Sequence, residues 1–308
     1  MKDRFGREVN SIRVSVTKDC NLNCFYCHRE GQNGKGNRVT LEGYKKLFSL
    51  SRDIGISKVK FTGGEPLVRA DIAEIVKLAK QYFTDISMTT NGILLQEYAK
   101  ILKNAGLNRI NISLHSLNAE TYKKITGSIY HDRVIKGIKA AKEAGLEPIK
   151  INYVVMKGLN DNEFPDLLNF TAKEGLVLQV IELEVPRDSE DLEWFKKYHK
   201  SLKEYEEYLE KSKIKISYNP LHNRKKYFMP VNDVIAEVEL VSPMHNTEFC
   251  INCHRIRFTA DGQLKPCLFR EDNMTDILAN LNDSMSEEQL LAIYKDAILK
   301  REPYWRKS

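Results

Sequence analysis

The chain has 308 residues, of which 42% are hydrophobic and 29% are charged, a balance that excludes a mainly disordered protein. Lys and Arg total 48 against 42 Asp and Glu, so the net charge is +6. This mild excess suits an anionic small molecule and argues only weakly for nucleic-acid binding. There is no apolar run of about 18 residues and no hydrophobic signal segment near the start, so we expect neither a membrane span nor secretion.

Strand-like and helix-like segments alternate along the first part of the chain. Apolar, β-branched runs predict strands at 11–17, 57–62, 85–90, 109–114, 149–156 and 176–183. Amphipathic segments predict helices at 41–54, 72–83, 95–105, 132–144 and 163–174. Repeated strand–helix units form parallel sheets, and six units fall short of a closed eight-unit barrel. The sequence therefore predicts an α/β fold with a partial, open (β/α)6 barrel.

The pattern changes near residue 212, where we place a boundary between a barrel domain, 1–212, and a C-terminal region, 213–308. The strongly charged segment 191–211 predicts a helix with a solvated face. After the boundary, 214–218 and 234–241 predict strands without the strand–helix alternation, and 287–300 predicts a helix.

The first of two cysteine triplets follows the first predicted strand. Cys20, Cys24 and Cys27 have the spacing C-x3-C-x2-C. In a reducing compartment, clustered cysteines favour metal binding over disulfides. Three close thiolates suit three irons of a 4Fe–4S cluster, which leaves the fourth iron open to an external ligand. The alternatives are a zinc site completed by His28 and buried thiols without a metal.

The second triplet, Cys250, Cys253 and Cys267, again has three thiols and no fourth. Arg255 and Arg257 lie between its second and third cysteines. Arginine forms forked contacts with phosphate, so this pair suggests an anionic substrate held beside a metal cluster. The alternatives are a zinc site completed by His245 or His254 and a surface strand with outward-facing arginines.

A glycine pair ends the second predicted strand, in the run Gly63, Gly64, Glu65 and Pro66. Glycine lets backbone and ligand approach closely, and Glu65 can accept a charge-assisted hydrogen bond from an ammonium group. Together with Tyr26 in the first triplet, this run resembles the two signature motifs of the radical S-adenosylmethionine superfamily. In that superfamily, the open iron binds the amino and carboxylate groups of S-adenosylmethionine.

The match extends over most of the chain. From about residue 5 to about residue 269, the sequence resembles the GTP 3′,8-cyclase (MoaA) family of molybdenum cofactor biosynthesis. The matching pieces are 11–17, 60–66, 89–92, 111–114, 150–152 and the C-x2-C-x-Arg-x-Arg-x9-C run that ends at Cys267. Each piece is short, but their combination is highly specific.

This resemblance implies a set of site residues. The ligands of two 4Fe–4S clusters are implied at Cys20, Cys24, Cys27, Cys250, Cys253 and Cys267. The S-adenosylmethionine site is implied at Tyr26, Gly64, Glu65 and Ser113. GTP contacts are implied at Arg13, Lys60, Thr89, Lys150, Arg255 and Arg257. Arg255 and Arg257 are also the expected catalytic residues.

Four positions depart from the family pattern. Gln179 stands where an arginine is common in the family, and Glu184 stands where a methionine is common. Lys60 also stands where an arginine is common; lysine keeps the positive charge but cannot form the two parallel hydrogen bonds of a guanidinium. The chain ends in Trp305-Arg306-Lys307-Ser308 without the family's Gly-Gly tail, a form that resembles the archaeal branch.

The resemblance also implies a reaction. A 5′-deoxyadenosyl radical takes the 3′ hydrogen of GTP, and the ribose then bonds to C8 of guanine, giving (8S)-3′,8-cyclo-7,8-dihydroguanosine 5′-triphosphate. We expect a cytoplasmic, oxygen-sensitive enzyme with an electron donor, and cyclic pyranopterin synthase as the next enzyme. Family members are often dimers, but the sequence does not determine the oligomeric state; no nucleic-acid or membrane partner is expected. The alternatives are a peptide-modifying radical enzyme with one auxiliary cluster and a two-zinc nucleic-acid-binding protein.

Overall fold

The computed structural model describes residues 1–29, 39–282 and 285–306. Of the predicted C-terminal run, Lys307 and Ser308 lie outside the described residues. Twelve strands of the described chain form one sheet. They are β1 (Ser11–Ser15), β2 (Lys58–Thr62), β3 (Asp85–Thr90), β4 (Arg109–Ser113), β5 (Ile149–Val155), β6 (Val177–Glu182), β7 (Lys215–Asn219), β8 (Arg224–Val231), β9 (Val234–Val241), β10 (Arg255–Phe258), β11 (Gln263–Lys265) and β12 (Thr275–Asp276).

Eleven α-helices connect or cover these strands within the described residues. They are α1 (Leu41–Asp53), α2 (Ile72–Ala79), α3 (Leu95–Ala105), α4 (Ala119–Thr126), α5 (His131–Glu143), α6 (Phe164–Glu174), α7 (Glu193–Tyr198), α8 (Lys203–Ser212), α9 (Thr247–Ile251), α10 (Leu278–Asn282) and α11 (Glu287–Leu299). None of the described helices is long and apolar enough to cross a membrane.

The order of the strands confirms the predicted α/β partial barrel. Strands β1 to β6 lie side by side in chain order, all parallel, with helices in each connection. The C-terminal region extends this sheet at both edges, because β9 pairs in parallel with β6 and β10 pairs in parallel with β1. The antiparallel pairs β8–β7 and β11–β12 form the outer edges. The predicted boundary near residue 212 stays a prediction.

Several predicted elements differ from the structure. The single charged helix predicted at 191–211 is wrong, since the segment forms α7 and α8 with a break between them. At the break, the Tyr198 carbonyl accepts a hydrogen bond from the Lys157 amide at 2.8 Å, and the His199 ring contacts Glu182 at 3.1 Å. These tertiary contacts hold the chain out of helical geometry. The sequence analysis also missed α4 and β8, which are short or rich in charge.

An apolar layer between the sheet and the outer helices holds the barrel together. The buried Phe48 of α1 packs its ring on Phe61 of β2 at 6.2 Å and on Phe83 at 5.3 Å. Aromatic pairs in these geometries stabilise the fold beyond their burial of area. Because the apolar side chains of the strands face this layer, the alternate positions face the barrel interior.

Candidate active site

The barrel encloses a cavity of about 630 Å³, a size typical of small-molecule sites. Its wall contains side chains from β10, β1, β2, β3, β4, β5 and β6, so the sheet curves around it. The first cysteine triplet follows the carboxyl end of β1, whereas Cys253 directly precedes the amino end of the parallel neighbour β10. The two triplets therefore lie at opposite ends of this strand pair. A ligand in the cavity would lie between them.

The thiols of the first triplet interact electrostatically in a loop where Cys20 and Cys27 are exposed and Cys24 is half-buried. Burial and the neighbouring thiolates of Cys27 and Cys20 raise the pKa of Cys24 to about 12. Three neighbouring thiolates repel one another, so each raises the pKa of the others. A positively charged metal cluster bound to all three would offset this repulsion and favour the thiolate form. Asn91 directs its side-chain amide toward Cys20, with 4.0 Å between Nδ2 and Sγ.

Gly64 makes the close approach between this loop and the end of β2. Its amide donates to the Thr17 carbonyl at 2.8 Å, and the Glu65 amide donates to the Asp19 carbonyl at 2.8 Å. A Cβ atom on Gly64 would lie 2.1 Å from the Asp19 carbonyl oxygen and 2.6 Å from that of Lys18. The absent side chain thus makes room for the backbone that leads into Cys20. The sequence analysis assigned this space to a ligand.

Glu65 is buried beside the first triplet and hydrogen-bonds to residues of the neighbouring loops. Its carboxylate accepts hydrogen bonds from Thr90 Oγ1 at 2.6 Å, from the Asn91 amide at 2.6 Å and from the Leu67 amide at 3.0 Å. Burial raises the pKa of this carboxyl to about 7, although the three hydrogen bonds lower it. The contact of Glu65 with a methionine ammonium stays a prediction.

His115 was missed by the sequence analysis and positions Tyr26. The buried His115 ring accepts a hydrogen bond from the Val154 amide on Nδ1 at 3.2 Å. Burial lowers the pKa of His115 to about 4, so the ring is neutral and its proton lies on Nε2. This nitrogen is 2.5 Å from the Tyr26 hydroxyl oxygen and donates to it. Tyr26 lines the cavity as expected.

The second triplet is held by the two ends of the chain. Arg7 donates to the Cys250 carbonyl at 2.9 Å, and the fully buried Arg301 donates to the Cys253 carbonyl at 2.5 Å. Asp3 joins the two arginines, with an oxygen 2.8 Å from a nitrogen of each. Burial opposes ionisation of Cys253, but Arg301, Arg255 and Arg7 together lower the pKa of this thiol. An electropositive surrounding of this kind favours the thiolate that a metal requires.

The zinc alternatives receive no support from the geometry. Among residues 1–29, 39–282 and 285–306, no three His, Cys, Asp or Glu side chains converge on one metal ion. A zinc ion needs ligands that converge within about 2.3 Å of one point, whereas the thiolates of an iron–sulfur cluster bind separate irons. The three candidate histidines also have other partners: His28 contacts Glu184, His245 contacts Glu190, and His254 contacts the Glu8 carbonyl.

Positive side chains cross the cavity wall on neighbouring strands. Arg13 of β1 is in register with Lys60 of β2 on one side and with Arg257 of β10 on the other. Arg255, two residues before Arg257, faces the same side, and all four residues line the cavity. The surface-strand alternative for this arginine pair is therefore wrong, because β10 is an inner strand between β1 and β11. Burial, together with Arg109, Arg13 and Arg255, lowers the pKa of Lys60 well below its usual value.

A buried carboxylate, Glu239 of β9, balances part of this charge and was missed by the sequence analysis. It contacts Lys150, accepts a hydrogen bond from Gln179 at 2.7 Å and lies 3.3 Å from Arg224. Although burial opposes its charge, Arg224 and Lys150 lower the pKa of Glu239 to about 2. Arg224 lines the cavity and, like Gln179, contacts Glu239. Its guanidinium therefore lies near the position at which the family pattern has an arginine.

The remaining predicted residues lie on neighbouring strands. Thr89 of β3 lines the cavity. Ser113 is the last residue of β4, opposite Asn152 of β5. Glu184 lines the cavity and lies 3.8 Å from His28. The direct roles of these side chains stay predictions.

Comparison with known families agrees with this geometry. Residues 14–171 match the family model described as the radical SAM superfamily, and residues 176–307 match the one described as Molybdenum Cofactor Synthesis C. A protein of Thermococcus kodakarensis named probable GTP 3′,8-cyclase is 50% identical over 99% of both chains. A protein of Methanocaldococcus jannaschii with the same name is 45% identical over 99% of both. The chain belongs to the GTP 3′,8-cyclase family. The resemblance inferred from the sequence is thereby confirmed.

Solved structures support the radical SAM fold of this cyclase family member. The crystal structure of Streptococcus suis SuiB bound to S-adenosylmethionine superposes with a TM-score of 0.66, covering 97% of this chain and 67% of that chain at 18% identity. A structure of anSMEcpe with bound AdoMet has a TM-score of 0.62, covering 91% of this chain and 82% of that chain at 17% identity. At this level of identity, the likeness shows the fold alone.

We predict that Gly64→Ala displaces the loop that carries the first triplet, because its methyl group would overlap the Asp19 carbonyl. Iron content after anaerobic reconstitution should fall from two clusters toward one per chain. Gly158→Ala is the matched control, because Gly158 has a left-handed backbone, with φ of 70°, but open space around it. It should cost about 1 kcal/mol of stability and leave iron content unchanged. Full iron content in Gly64→Ala would contradict this packing role.

Proposed function

We propose that the cavity between the two cysteine triplets is where this chain converts GTP to the 3′,8-cyclo nucleotide, the first step of molybdenum cofactor biosynthesis. The observation that carries this proposal is the row of Arg257, Arg13 and Lys60 across three neighbouring strands of one enclosed cavity. A triphosphate brings several negative charges, which relieve the repulsion among these half-buried positive side chains.

The two triplets suit two 4Fe–4S clusters, with Cys20, Cys24 and Cys27 holding the first and Cys250, Cys253 and Cys267 the second. With S-adenosylmethionine bound, the first cluster would supply one electron for reductive cleavage of that cofactor, the radical chemistry needed to remove a hydrogen atom from the ribose. The chain itself positions the reactants and excludes water. Tyr26, fixed by His115, forms part of the wall near the first triplet, and the strand cations hold the triphosphate.

Partners follow from this chemistry. The first cluster needs an external electron donor, and the cyclic nucleotide passes to cyclic pyranopterin synthase. Both clusters are damaged by oxygen, which fits a cytoplasmic enzyme. We also propose a homodimer, as in many family members, and no nucleic-acid or membrane partner.

Cys24→Ser should abolish cleavage of S-adenosylmethionine, because the first cluster would lose one of three protein ligands. The product 5′-deoxyadenosine is measured after anaerobic reduction with dithionite. The matched control is Cys250→Ser, which removes one ligand of the second triplet and should spare cleavage in the absence of GTP. Wild-type yield from Cys24→Ser would rule out the assignment of the first cluster.

Arg257→Ala should weaken GTP binding by about 1.5–3 kcal/mol, the usual value of a hydrogen bond to a charged group. Calorimetric titration of the cluster-loaded protein measures this as a roughly tenfold to hundredfold rise in Kd. Cleavage of S-adenosylmethionine without GTP should be largely spared. Arg52→Ala, which removes an exposed arginine of α1, is the control and should bind GTP normally. Unchanged affinity in an Arg257→Ala protein that keeps both clusters would remove this arginine from the substrate site.

GTP binding should take up a proton through Lys60. In the free protein, the pKa of Lys60 is lowered by burial and by the neighbouring cations, and contact with phosphate raises it again. Between these two pKa values, GTP affinity should therefore increase as the pH falls. Calorimetry at one pH in two buffers of different ionisation enthalpy measures the uptake. Lys60→Arg keeps its charge at every pH and should bind without uptake. Equal uptake in Lys60→Arg would show that another group titrates.

A further inference from the structure

The turn between β7 and β8 reaches into the cavity beside the second triplet. Its residues His222 and Asn223 both have left-handed backbones, with φ of 65° and 48°. Such conformations cost about 1–3 kcal/mol in residues other than glycine and persist where their surroundings hold them. The His222 amide donates to the Asn252 carbonyl at 2.8 Å, which ties the turn to the loop of Cys250 and Cys253. The backbone strain thus places one particular side chain, His222, in the wall.

The ring of His222 is fixed but incompletely bonded. It is only 9% exposed and stacks on Phe249, with 3.7 Å between ring centroids and 25° between planes. Both rings line the cavity, and Phe249 directly precedes Cys250. His222 Nδ1 has no hydrogen-bond partner among the described residues. Because Nδ1 is fully buried, the ring nitrogen left to contact a ligand in the cavity is Nε2.

The surroundings indicate which part of a nucleotide that group belongs to. Burial, together with Arg255, Arg224 and Arg13, lowers the pKa of His222 well below its usual value, so the ring is neutral. A neutral imidazole offers one donor and one acceptor. Phosphate oxygens mainly accept hydrogen bonds, and the neighbouring arginines can donate those bonds. The edge of a purine offers both donors and acceptors, and its flat face suits the aromatic side chains at this end of the cavity, such as Phe269 and Trp305.

We propose that His222 is a specificity-determining residue that hydrogen-bonds the base of the nucleotide through Nε2. This inference rests on the proposed function, because it takes GTP as the ligand. It assigns the β7–β8 turn to substrate recognition, although this turn lies outside the six strand–helix units.

The test uses His222→Asn, since asparagine tolerates a left-handed backbone but is too short to keep the contact. The cluster-loaded full chain is titrated anaerobically with GTP and, separately, with inorganic tripolyphosphate, which has no base. The Kd for GTP should rise about threefold to tenfold, the usual range for one neutral hydrogen bond. The Kd for tripolyphosphate should not change. Arg257→Ala, in contrast, should weaken both ligands.

His131→Asn is the matched control. His131 is also buried, packs on an aromatic ring at 5.4 Å and has Nε2 without a partner among the described residues, but it does not line the cavity. It should bind GTP like the wild type. Unchanged GTP affinity in His222→Asn would overturn the inference, and an equal loss of both ligands would do so by placing His222 at the phosphates. Loss of iron from the second triplet would overturn it as well, because the ring would then support the cluster. A wild-type protein that does not bind GTP would refute the proposed function itself.

Discussion

Repulsion among half-buried positive side chains is the constraint on which the rest of this structure depends. Arg13, Arg255 and Arg257 face one cavity beside Lys60, and two unit charges 4 Å apart repel by about 4 kcal/mol at an effective dielectric constant of 20. Glu239 neutralises part of the positive charge of two other lining residues, Lys150 and Arg224. Apolar packing behind the strands stabilises the fold against this repulsion. The same feature that destabilises the free protein therefore gives it affinity for a triphosphate.

The two cysteine triplets are held in different ways. The first depends on a close backbone approach, in which Gly64 leaves room for the carbonyls of Lys18 and Asp19. The second depends on side chains from both ends of the chain, because Arg7 and Arg301 bond the carbonyls of Cys250 and Cys253. A substitution near either terminus can thus reach the second triplet directly. The first triplet is sensitive instead to the volume of residues at the end of β2.

The C-terminal region is part of the active site as well as its cover. Strand β10 supplies Arg255 and Arg257 to the same wall as β1, and β9 supplies Glu239 beside β6. Arg224, at the start of β8, lies near Gln179 and adds positive charge where the sixth strand carries none. Arg224 can thus supply the positive charge that Gln179 lacks.

The sequence by itself determined the six strand–helix units, the two thiol triplets and the family. These follow from periodicity and from the short spacing of chemically distinctive residues, which are local properties of the chain. Only the tertiary structure showed that β9 and β10 join the barrel sheet, that His115 fixes Tyr26, that His222 faces the cavity, and that Glu239 pairs with Lys150 and Arg224 of its wall. Each of these residues is distant in sequence from its partner and is an ordinary residue type that marks no motif. Their positions depend on strand register and barrel curvature, which bring together residues from far apart in the chain.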